Sequence, residues 1–147
     1  MWVEGMLMLL IDGRYLNGKT MQTTTLNGEW SCFENAVKRM AEEASNTNGR
    51  NKTELFNSAH IPRYDIEYFG DDKGDGVEIT PMQISDYGWT VYHFVDHEEE
   101  VLVYKHTDSE EIHEKRMPLG TTRAVFLEAA EKMKIFDAPP GARVNQS

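Results

Sequence analysis

The chain has 147 residues, one domain's worth, and its 39% hydrophobic and 10% aromatic content is too high for a disordered segment. A net charge of −10 argues against nucleic acid as a ligand, because phosphate binding needs a basic footprint. The single cysteine, Cys32, excludes an internal disulfide framework, and its neighbours Trp30 and Phe33 place it in a core as an unreactive thiol.

Residues 1–11 read as a buried strand. Their apolar run, 6–11, is too short to span a bilayer and lacks the flanks of a secretory leader, so a soluble, cytoplasmic protein without membrane contact is expected. Asp12-Gly13 and Asn17-Gly18 mark turns, and residues 20–26, rich in threonine, fit an antiparallel return strand closed by Asn27-Gly28. Ser31-x-x-Glu34 forms a capping box for a first helix with Phe33, Ala36, Val37, Met40, Ala41 and Ala44 on one stripe. Residues 46–52 break it. Thr53 is positioned to cap a second, short helix carrying Leu55, Phe56 and Ala59, and Pro62 to stop it.

Residues 64–69 alternate only weakly, an ambiguous pattern that suits a short strand. The stretch FGDDKGDGVEIT that follows has the rhythm of a calcium loop. Counted from Asp71, however, position 3 is Lys73 and position 12 is Met82, so a cation and a thioether stand where oxygen ligands belong. An acidic surface turn is the plainer account. Residues 89–95 form a strong strand, apolar on both faces and therefore central. The chain turns at 96–99, returns through 100–106, turns at Asp108-Ser109, and runs through a more polar edge strand, 111–117. Thr121 or Thr122 opens a last helix with Val125, Phe126, Ala129, Met133 and Phe136 as its stripe. Pro139-Pro140-Gly141 ends the order. One domain over 1–138 with a frayed tail, 139–147, is expected. The fold class is α+β, an antiparallel sheet of two N-terminal strands and a C-terminal meander, with helices packed on one face.

Residues 71–111 hold twelve acids against two bases, Lys73 and Lys105, so this segment carries the whole net charge while the remainder is balanced. Such an imbalance serves either solubility or a basic protein partner. Catalytic patterns are missing. His93 and His97 are four apart but lie along a strand, where four residues span about 13 Å. His106 and His113 lie on neighbouring strands and suit surface imidazoles better than a metal. Neither a nucleophile elbow nor a glycine-rich phosphate loop is present, and no cofactor is expected. A small hydrolase using histidine and carboxylate, and an acidic calcium-dependent module, stand as the alternatives to a binding protein.

Two stretches, LLIDGRYLNGKTMQTTTLNGEW (9–30) and ITPMQISDYGWTVYHFVDHEEEVLVYK (79–105), resemble the bacterial immunity protein 42 family. The shared features are an IDG strand end, a TTTLN strand, and a step from proline through Ser-Asp-x-Gly into an aromatic strand and hairpin. The resemblance implies a non-enzymatic immunity protein that pairs with the C-terminal toxin domain of a polymorphic toxin system, such as contact-dependent inhibition. It supplies no catalytic residues. A nuclease-like toxin would offer a basic cleft, and carboxylates could occupy it. The expected contact set is Asp71, Asp72 and Asp75 in the loop and Glu98, Glu99 and Glu100 in the hairpin, with Tyr87 as an aromatic anchor and Trp89 divided between anchor and core.

Overall fold

The structure is a computed structural model that describes residues 4–5, 9–16, 24–25 and 29–135. The expected turns at Asn17-Gly18 and Asn27-Gly28, Phe136, and the tail 139–147 lie outside those residues.

The opening strand and its return pair antiparallel through β1 (Glu4–Gly5) and β4 (Thr24–Thr25), but among the described residues they form a two-stranded sheet of their own rather than one sheet with the meander. Between them, β2 (Leu10–Ile11) and β3 (Arg14–Tyr15) form a tight hairpin on Asp12-Gly13. Both turn residues have positive φ, 51° and 78°, the requirement of a type I′ turn that Asp-Gly meets at low cost.

The main sheet has the order β5 (Val77–Glu78), β6 (Trp89–Asp96), β7 (Glu99–His106) and β8 (Ile112–Pro118), antiparallel throughout. The meander matches its expected limits to within a residue or two. β6 and β7 are buried on both sides. Trp89, Val91, Leu102 and Tyr104 look one way, into a core shared with Phe33, Ala36, Met40, Phe126 and Ala130 of α1 (Glu29–Glu42) and α4 (Thr121–Lys134). Tyr92, Phe94, Val101 and Val103 look the other way, onto Leu55, Phe56 and Ala59 of α2 (Lys52–Tyr64). Helices therefore cover both faces of the α+β sheet rather than one, because a strand pair that is apolar on both sides must be shielded on both. Each large core side chain stabilises by about 1.5–3 kcal/mol, so neither layer is dispensable.

Helix ends differ from expectation in instructive ways. α1 begins at Glu29, two residues before the Ser31 box, and Ala41 and Ala44 face solvent. α2 is capped by Asn51 in a reciprocal box with Glu54, and Thr53 lies inside the first turn. Pro62 does not stop α2, which continues to Tyr64. A short α3 (Met82–Asp86), not expected from the sequence, leads into β6. Residues 64–69 hold no strand.

Candidate functional site

The register decides how the two acidic stretches lie. Val77 stands opposite His93 and Glu78 opposite Tyr92, so the residues just before β5 lie beside the end of β6 that turns through 96–99. The segment 45–47 fills the space beyond β5, with the Val95 N–H donating to the Ser45 carbonyl at 2.8 Å and the Thr47 N–H donating to the Val95 carbonyl at 2.9 Å. The C-terminal part of the loop and the hairpin turn thus share one end of the sheet.

The loop is docked by cations and carbonyls. Pro62 has no N–H, which leaves the Ser58 carbonyl free; the Asp75 N–H donates to it at 3.2 Å. Arg63 Nη1 donates to the carbonyls of Ala59 and Asp75, each at 2.7 Å, and Nη2 to that of Gly76 at 2.9 Å. The Asp75 carboxylate accepts from Arg50 Nη1 at 2.6 Å and remains 44% exposed. Gly76 has φ 69°, and a Cβ there would meet the Phe94 ring at 2.7 Å, so only glycine fits. Asp71 and Asp72 stay exposed, and Asp72 Oδ1 accepts the Gly74 N–H at 2.9 Å.

The hairpin sorts its acids sharply. Asp96 accepts from Arg116 Nη1 at 2.8 Å, and that hydrogen bond holds its carboxyl below the usual carboxylate range. Glu98 and Glu99 are exposed, and the Glu98 carbonyl accepts the Leu119 N–H at 3.1 Å, tying the turn to the start of α4. Glu100 differs: it is 2% exposed. Its Oε1 accepts from the Thr122 N–H and hydroxyl, each at 2.6 Å, and its Oε2 lies 3.1 Å from His93 Nε2. Burial pushes the Glu100 carboxyl up, but the hydrogen bonds from His93 and from the Thr122 hydroxyl and N–H outweigh it and hold the group below its ordinary range. Glu100 caps α4 from the neighbouring strand and is not on the surface of the folded chain, because it shares the inward face of β7 with Leu102 and Tyr104.

Tyr87 lies at the other end of β6, about 23 Å along the strand from the hairpin; it is half-buried, and its hydroxyl accepts from Gln83 Nε2 at 2.9 Å. Trp89 is a core residue at 9% exposure, packed edge-on against His106 with ring centroids 5.1 Å apart. His113 stacks on Tyr104 at 5.1 Å. His93 Nδ1 is buried without a partner, so neither ring nitrogen of His93 is open to a substrate proton. Cys32 is half-buried, with its thiol pushed up by burial and by the Glu29 carboxylate. Among the described residues, no group of three or more His, Cys, Asp or Glu side chains could hold a metal ion. Nor is any described helix long and apolar enough to cross a membrane.

Sequence reasoning missed two sets of residues at this site. Arg50, Arg63 and Ser58 fix the loop through carbonyl contacts that leave no pattern in sequence. Ile66 and Phe69, in the weakly alternating stretch 64–69, are 93% and 92% exposed.

No curated protein matches the sequence. The crystal structure of CdiI from Burkholderia dolosa AUO158 is similar in fold, with a TM-score of 0.56 and 16% identity over 79% of this chain and 83% of that one. A model of the Immunity protein 42 family matches residues 1–132, nearly the whole described structure, and the chain belongs to that family.

Proposed function

We propose that this immunity protein acts in the cytoplasm by binding one cognate toxin domain and blocking its active cleft, without catalysing a reaction itself. The family match over residues 1–132 carries this reading. The exposed carboxylates Asp71, Asp72, Glu98 and Glu99 form the acidic contact set, and their acting together is supported by the register, which brings the C-terminal end of the loop, residues 75–76, to the hairpin's end of the sheet. Asp75 is half-exposed and paired with Arg50, and Tyr87 contributes only if the partner reaches the far end of β6. Glu100 supports the surface from below by fixing the hairpin to α4.

The implied partner is a basic domain, nuclease-like in its chemistry. Carboxylates set where phosphates would lie neutralise such a cleft and exclude its substrate. Exposed charges mainly raise the association rate and its salt dependence.

The test is a binding titration against the toxin domain encoded beside this chain's gene. Lysine replacements at Glu98 and Glu99 should lower the association rate about tenfold or more at low salt and flatten its salt dependence. If rate, affinity and salt dependence all survive the reversal, the acidic contact set is wrong even though binding stands.

A further inference from the structure

We infer that the loop between α2 and β5 is the anchor of the interface, and that Ile66 and Phe69 insert into an apolar pocket on the toxin domain whose rim is basic. This inference rests on the toxin-binding reading above and names the contact it requires.

Two large apolar side chains at 93% and 92% exposure, three residues apart, are costly to leave in water unless a partner covers them. Ile61 and Tyr64, a turn apart at the end of α2, are 38% and 53% exposed and extend the apolar surface along the chain. The Tyr64 hydroxyl donates to the Glu78 carboxylate, with oxygens at 2.8 and 2.7 Å, so its ring is held in place.

The loop is braced rather than slack. The Asp65 N–H donates to the Ile61 carbonyl at 3.0 Å, and the Tyr68 N–H to the Asp65 carbonyl at 3.1 Å. Asp65 Oδ1 accepts the Glu67 N–H at 2.9 Å. The Tyr68 hydroxyl lies over Gly70, where a Cβ would stand. Arg63 and Ser58 hold the other end at residues 75–76. Anchors presented this way lose little freedom on binding, which favours slow dissociation.

Charge selects the partner. Asp65, Glu67, Asp71 and Asp72 are exposed around the two apolar residues, with Lys73 the one base of the loop. A second copy of this chain, meeting the loop with its own loop, would set these acids against themselves. An anionic lipid surface would repel them too. A protein surface with a hydrophobic pocket and a lysine or arginine rim satisfies both features.

The experiment titrates the full chain, and its Ile66→Ala, Phe69→Ala, Phe69→Leu and double-alanine variants, against the toxin domain encoded beside its gene. Each single alanine should raise Kd about tenfold and the double about a hundredfold, mostly through faster dissociation. Phe69→Leu should keep most of the affinity. Melting temperatures should not fall, because neither side chain packs in the fold. Wild-type binding with variants inside about twofold of it overturns this inference alone. A wild type that fails to bind overturns the toxin reading as well. A variant that changes the sedimenting mass while toxin affinity stays put assigns the loop to self-association and also overturns it.

Discussion

The loop 71–75 and the hairpin 98–100 look alike in sequence, each with three acids in a short span, and in each the last acid is held by a side chain of another element or loop. They differ in what they meet. Asp75 meets a guanidinium at the rim and stays 44% exposed, while Glu100 meets a histidine ring and a helix N-terminus at 2% exposure. The loop acid fastens a surface segment; the hairpin acid joins two layers of the fold. A count of carboxylates therefore overstates the charge available to a partner, and the opposing group decides which role each one takes.

The comparison breaks most visibly at Glu100. Glu100→Ala leaves the Thr122 N–H, its hydroxyl and His93 Nε2 facing a void, and should destabilise by about 3–5 kcal/mol, read from the urea midpoint. Glu100→Gln keeps the shape and should lose less, about 1–3 kcal/mol. Acid titration supplies a second readout. A carboxyl held below its ordinary range gives stability that is complete above that range and is lost as pH falls through the folded value. The wild type should therefore weaken in acid more steeply than Glu100→Gln. Equal acid slopes for the two proteins would remove Glu100 from the joint between β7 and α4.

Arg63 sharpens the loop side. Two of its three donations, to the Asp75 and Gly76 carbonyls, close the loop onto α2, and Arg63→Ala should cost about 1–3 kcal/mol. The loss should be local. Amides of residues 74–76 should exchange faster while those of β6 and β7 keep their protection. Uniform loss of protection would mean that the loop folds as one unit with the sheet.

Much of the fold was legible because its signals are periodic. Residues 89–106 alternate apolar side chains on two faces, and that alone fixed the central hairpin. The same alternation sets Glu100 on one face with Leu102 and Tyr104, so its burial was present in the pattern but hidden by the run of three glutamates. The second helix layer was also implied by those two apolar faces. Loop docking was not legible. It depends on a carbonyl freed by Pro62 and on Arg63 reaching across 12 and 13 residues to carbonyls that carry no side-chain signature. The exposed pair Ile66 and Phe69 was hidden for a related reason, since an apolar residue in a short aperiodic stretch reads the same whether it faces the core or water.

The smallest effect should come from Asp75. Its ion pair with Arg50 is partly solvated, so Asp75→Ala should cost about 0.2–1 kcal/mol, and less in high salt. Arg50 does not depend on that carboxylate alone. Its Nε donates to the Thr47 carbonyl at 2.9 Å and its Nη2 to the Asn46 carbonyl at 3.1 Å, while its guanidinium lies 5.8 Å from the centre of the Phe94 ring. Those contacts should keep Arg50 in place when the acid is removed. A loss of several kcal/mol in a urea titration would show that Asp75 is as integral as Glu100. An unchanged midpoint with toxin affinity weakened tenfold would instead place Asp75 among the contacts, and the two acidic stretches would then differ in function as well as in burial.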